Sequence, residues 1–217
     1  MTFKDFFPYL TIFINAILVL IQLSITRKNT KELEELKTKL RIQESKLTTI
    51  QQKRIDVYSE LWKNIQNTSD FFISFSNPFQ QYPDLKNMNE DEVVEFLDGT
   101  ELSKSHKNAI ISNSDKNQKY QDLIFWYRLK RMQAEYTNLY STFVINKILF
   151  SEEQKEVIGE LITLFHNALI NMRIGGETMN SYKQNSGYEF INKAYTQVKN
   201  DGQKLIDNIE KLFSLNF

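Results

Sequence analysis

The chain has 217 residues, with 27 Lys and Arg against 27 Asp and Glu, two His and no Cys. The balanced charge argues against a general nucleic-acid binder, and the missing cysteine excludes disulfides and thiolate chemistry and fits a reducing compartment. With 6 Gly and 3 Pro among many Lys, Glu, Gln, Leu, Ile and Phe, and no sustained apolar/polar alternation that would call for strands, the expected class is all-α.

The first element is the stretch YLTIFINAILVLIQLSITRKNTKELEEL at 9–36, which turns from nearly all apolar to nearly all charged at Thr26 and Arg27. Its apolar run extends from Phe6 to Ile25, broken by Thr11, Asn15, Gln22 and Ser24. At a rise of about 1.5 Å per residue it covers roughly 30 Å, the thickness of a bilayer core. A cleaved signal would have a basic start, a shorter apolar core and a small-residue cleavage site. Here Lys4 is offset by Asp5 and no A-x-A pattern follows Ile25. A buried core helix would show a polar face, whereas residues 12–21 are apolar almost all round. Residues 1–26 are therefore expected to form a single-pass transmembrane anchor with a short N-terminal tail. Arg27, Lys28 and Lys31 just after the span predict the N-terminus outside and the C-terminal domain in the cytoplasm.

Residues 27–66 read as an amphipathic, coiled-coil-like connector. Leu33, Leu40, Leu47 and Leu61 fall at heptad position a, and Leu36, Ile50 and Val57 at d, with Gln43, Arg54 and Asn64 as exceptions. In a parallel homo-oligomer Glu32 would meet Lys37, and Lys39 would meet Glu44, both attractive pairs. The same register puts Asn15 and Gln22 of the span at d, where polar side chains in hydrocarbon face protein. The seam residues are thus Asn15, Gln22, Leu33, Leu36, Leu40, Leu47, Ile50, Val57 and Leu61. An amphipathic helix folded onto its own domain would produce much the same stripe.

Residues 67–217 are expected to form an antiparallel helical bundle that packs with the end of the connector. The aromatic cluster FFISFSNPF ends a helix at Asn77-Pro78. A loop follows to Asp91, with Asn89 as N-cap of a short helix EDEVVEFL that stops near Gly99. Asp115 opens a long helix with Phe125, Leu129, Met132, Tyr136, Leu139 and Phe143 on one face. Ser151-Glu152-Glu153-Gln154 is a capping box for the next helix, which Ile174-Gly175-Gly176 should end. A polar loop to about Gly187 and a last helix, weakened at Asp201-Gly202, complete about four long helices with short ones across one end.

Chemistry is sparse. His106 and His166 lie in different elements without a second ligand at i+3 or i+4, so no metal is expected. Glu152, Glu153 and Glu156 suit the first turn of a helix, where its dipole favours acids. Gly175-Gly176 lacks the surroundings of a phosphate loop, and neither G-x-S-x-G nor H-E-x-x-H occurs. No catalytic residue and no cofactor is expected. One cluster, FWYRLKRM at 125–132, gathers aromatic and basic groups: Trp126, Tyr127, Arg128, Lys130 and Arg131 are the candidate ligand or partner patch. Alternatively, Trp126 and Tyr127 pack on a second neighbour while the cations reach outward.

The expected function is therefore non-enzymatic: a membrane-anchored helical sensor, adaptor or scaffold that self-associates and binds a cytoplasmic macromolecule other than nucleic acid. The alternative is a ligand-gated membrane effector answering a nucleotide-like signal through Trp126, Arg128 and Arg131.

Overall fold

Helix covers nearly all of the computed structural model, which describes the backbone of residues 3–181 and 184–214 and the side chains of residues 17–179 and 186–214. The helices are α1 (Phe3–Ser76), α2 (Glu90–Asp98), α3 (Lys104–Ile111), α4 (Lys116–Asn146), α5 (Glu152–Ser181), α6 (Gln184–Thr196) and α7 (Gln203–Ser214). Among the described residues there is no strand. The chain divides into two compact units, Met1–Ile55 and Asp56–Phe217. Helix α1 runs without a break through the boundary expected at 66 and ends one residue before Asn77-Pro78.

In the first unit every described side chain, from Ile17 to Ile55, is exposed. No helix among the described residues is long and apolar enough to cross a membrane. The predicted anchor at 1–26 lies, up to residue 16, outside the described side chains.

The second unit is a four-helix bundle whose directions follow from cross-helix contacts. The end of α1 runs antiparallel to α4, since Asn64 Nδ2 donates to Thr142 Oγ1 at 3.0 Å and Phe75 meets Phe125 at 5.2 Å. It runs parallel to α5, with Tyr58 Oη donating to Gln154 Oε1 at 2.9 Å and Phe72 stacked on Phe165 at 5.2 Å. The α6–α7 segment returns antiparallel, bringing Ile191 to Gly175 and Phe213 onto Tyr58, ring centroids 4.5 Å apart. Leu61, Ile65, Phe72, Met132, Leu139, Leu161, Phe165 and Met172 are fully buried between these helices. At about 1.5–3 kcal/mol for each large apolar side chain, this core is what holds the unit together.

Three caps sit where their side-chain chemistry predicts. Asn89 Oδ1 accepts from the Glu92 amide at 2.9 Å while Glu92 Oε2 accepts from the Asn89 amide at 2.8 Å, and Gly99 closes α2. Asp115 Oδ1 accepts from the Gln118 amide at 3.2 Å. Ser151 Oγ and Gln154 Oε1 exchange reciprocal bonds with the amides of Gln154 and Ser151 at 3.2 and 2.9 Å. Each satisfies donors that the first helical turn leaves without partners.

Three expectations are corrected. Gly175-Gly176 does not end a helix: α5 continues to Ser181, and among the described residues no glycine has positive φ. The pair is there for close approach. A Cβ on Gly176 would run into the Phe125 ring, and one on Gly175 would lie 2.7 Å from Ile191 Cγ1 and 2.9 Å from the Gly187 carbonyl. Of the polar loop expected up to Gly187, residues 177–181 belong to α5, residues 182–183 lie outside the described residues, and α6 begins at Gln184. The last helix departs from α geometry at Asp201-Gly202, where a weak point was expected: a π-helical turn, Gln197–Gly202, carries the backbone from α6 into α7. Finally, Val57 and Leu61, placed on the seam by heptad spacing, are 6% and 0% exposed in the bundle core. Their period is shared by both environments, and the bundle claims them.

Helix α3 was not expected. With Ser103 as its N-cap, it joins α2 and the start of α4 in a second, smaller core of Leu85, Val93, Leu97, Leu102, Ile110, Tyr120 and Ile124. Helix α4 therefore has two apolar faces, one for each core.

Candidate functional site

The candidate patch on α4 is split between these two faces. Trp126 is half-buried against the bundle core, its ring edge-on to Phe125 at 5.5 Å. Tyr127 packs on the smaller core. Lys130 is exposed.

The two arginines have protein partners. Arg128 Nη1 donates to Gln80 Oε1 at 2.8 Å, while Gln80 Nε2 donates to the carbonyls of Ser74 and Phe75 at 2.6 and 3.1 Å, capping the end of α1. Arg131 Nη1 pairs with Glu101 Oε2 at 3.0 Å, and its guanidinium lies 5.4 Å from the centre of the Phe71 ring. Tyr127 Oη donates to the same Glu101 oxygen at 2.7 Å. Glu101 thus gathers the cation and the phenol beside it. A phosphate approaching Arg131 would meet a carboxylate already bound at Nη1.

These contacts predict a pH response. The hydrogen bond to Glu101, with a smaller contribution from desolvation, raises the Tyr127 pKa above the ordinary tyrosine value. The folded state therefore holds the protonated phenol. This contribution is complete below the usual tyrosine range and is lost as pH rises through the folded value. Absorbance at 295 nm, compared between the wild-type chain and Tyr127→Phe, should show this phenol titrating late, and Glu101→Gln should move it back toward lower pH. A Tyr127 titration that ignores Glu101→Gln would show that the hydrogen bond is not the cause.

Two clefts flank α4. The more open one, about 410 Å³, lies between Phe71, Thr100, Glu101, Tyr127, Arg128 and Arg131. The other, about 290 Å³, has Trp126 on its wall. On α4 it presents Gln118, Asp122 and Trp126, which share a face at i, i+4 and i+8. Opposite stand Gly176 and Met179 of α5, and Tyr188 and Ile191 of α6. Tyr82, whose pKa is raised chiefly by burial and partly restored by Arg128, closes one side. Trp126 and Arg131 therefore line different clefts.

Sequence reasoning singled out Trp126 but missed Asp122, Tyr82 and Tyr188. Asp122 was legible, four residues before Trp126 on the same helix face. The tyrosines arrive from distant parts of the chain and carried no local signal.

His106 and His166 are both exposed, and among the described residues no group of three His, Cys, Asp or Glu could hold a metal. Glu152 pairs with Lys155 at 2.6 Å, which lowers its pKa. Of the predicted seam, Leu33, Leu36, Leu40, Leu47 and Ile50 lie between 50% and 60% exposed, and Gln22 is also exposed. Asn15 lies outside the described side chains. Comparison with known protein families, curated proteins and solved structures finds no match for this chain.

Proposed function

We propose that the chain is a membrane-anchored, non-enzymatic sensor, adaptor or scaffold that pairs with a second, parallel copy of itself and offers its helical bundle to a cytoplasmic macromolecule. The observation that carries this reading is the stripe Leu33, Leu36, Leu40, Leu47 and Ile50, all at least half exposed in the single chain. A heptad stripe in water gains about 25 cal/mol for each Å² of apolar surface it covers.

A second copy suits this stripe better than an unrelated partner. Glu32 against Lys37 and Lys39 against Glu44 are attractive in a parallel homodimer. The apolar run before Thr26 supports the anchor, and anchoring in one membrane makes neighbouring chains parallel. Arg27, Lys28 and Lys31 support the cytoplasmic side for everything that follows.

The absence of native cysteine makes the test direct. Single cysteines at Ile50, on the stripe, and at Gln52, off it, are oxidised in membranes carrying the full chain. Crosslinking at Ile50 and not at Gln52 is expected. Equal crosslinking at both sites, or none at either, would remove the parallel pair. Loss of the protein from membranes on an alkaline carbonate wash would remove the anchor.

A further inference from the structure

The cleft walled by Trp126 has a charge character unlike that of the arginine-rich surface beside it. Among the described residues that line it there is no Lys, Arg or His, and Asp122 is the one acid. Asp122 Oδ1 accepts from Gln118 Nε2 at 2.8 Å. Its other oxygen accepts no hydrogen bond from the described residues and remains available to a ligand. Arg128 lies on the neighbouring cleft and is held by Gln80.

Five of the described lining residues are aromatic. Phe75, Phe125 and Trp126 form a connected set, with centroid separations of 5.2 and 5.5 Å and interplanar angles of 54° and 87°. Tyr82 and the 57%-exposed Tyr188 complete the lining. Aromatic faces attract cations through their quadrupole, Trp most strongly, and a carboxylate beside them adds a directional anchor. At about 290 Å³ the cleft is at the small end of ligand sites.

We propose that this cleft binds a small organic ammonium compound, its apolar body against Trp126 and Phe125 and its positive group on Asp122. An anionic nucleotide fits less well, because its phosphate would face a carboxylate and the nearby guanidinium groups already have partners. The proposal does not depend on self-association, since every residue it uses belongs to the bundle.

The test is calorimetric titration of the full chain in detergent with three probes: phenethylamine, phenethyl alcohol and adenosine monophosphate. The alcohol keeps the aromatic body and removes the charge. Phenethylamine should bind saturably at one site per chain and at least roughly tenfold tighter than the alcohol. Asp122→Asn should weaken phenethylamine binding by about tenfold at unchanged circular dichroism. Tyr188→Ala, at a largely exposed position, should weaken it further without unfolding the bundle. No heat with phenethylamine, equal binding of amine and alcohol, tighter binding of the nucleotide, or an Asp122→Asn variant that binds normally would each overturn the assignment.

Discussion

Replacing Phe72 by alanine should cost the bundle about 3–5 kcal/mol, among the largest losses expected from a single truncation of the described core. Phe72 is 0% exposed, and its ring is stacked on Phe165 at 5.2 Å with an interplanar angle of 12°. It comes from α1, the helix that also sends Leu61 and Ile65 into the core, so the cavity would open inside the bundle against Phe165 of α5. The surroundings cannot collapse easily into a hole bounded by buried rings. Against a typical domain stability of about 5–15 kcal/mol, such a loss brings the bundle close to unfolding.

Tryptophan fluorescence is the right readout, because Trp62 and Trp126 both belong to the second unit. The denaturant midpoint should fall with little change in slope. A midpoint close to wild type would mean that Phe72 is not a central element of the core.

A second large effect is expected from adding one carbon to Gly187. A Cβ there would lie 2.7 Å from the Gly175 carbonyl oxygen and 3.0 Å from the Met179 amide nitrogen. Both are backbone atoms, so no side-chain rotation relieves the contact, and α5 and α6 would have to separate. The cost of Gly187→Ala should be about 1–3 kcal/mol or more. Gly159→Ala supplies the contrast. It lies inside α5 with nothing within 4 Å of its added carbon, so alanine should stabilise by about 0.5–1 kcal/mol. Opposite shifts in the two denaturation midpoints would establish close backbone approach as the role of Gly187. Shifts of the same sign would refute it.

These glycines also show where sequence reading succeeds and where it stops. The caps at Asn89, Asp115 and Ser151 were legible because a cap is a bond between neighbours in sequence. The end of α1 at Asn77-Pro78 was legible for the same local reason. Gly175-Gly176 was misread because glycine is used for two different purposes, freedom of φ and absence of a side chain. Only the Phe125 ring and Gly187, both distant in sequence, reveal which applies. Val57 and Leu61 posed the same difficulty, since a heptad and a bundle face share nearly one period.

The candidate site was legible in part. Trp126 and the cations stood out by residue type, but their partners did not. Glu101, which holds Arg131 and Tyr127, lies between α2 and α3, in a segment where the short helix α3 was not foreseen. Without α3 and the smaller core, nothing in the sequence said that α4 has two packed faces, or that its aromatic and basic groups would be divided between them.

The contact between Phe213 and Tyr58 has a consequence for how the protein is made. Phe213 lies in the final helix and is 7% exposed, stacked on Tyr58 from the first helix and edge-on to Trp62 at 6.5 Å. The bundle is therefore closed by joining α7 to α1, the helices furthest apart in chain order among those described. On the ribosome, α1, α4 and α5 emerge with their apolar faces incomplete, and α7 completes the packing only after every other described helix of the bundle has been made. Such long-range closure makes late folding slow and leaves apolar surface open to wrong partners until the end. A chain truncated just before Phe213 would thus leave a bundle without its closing ring.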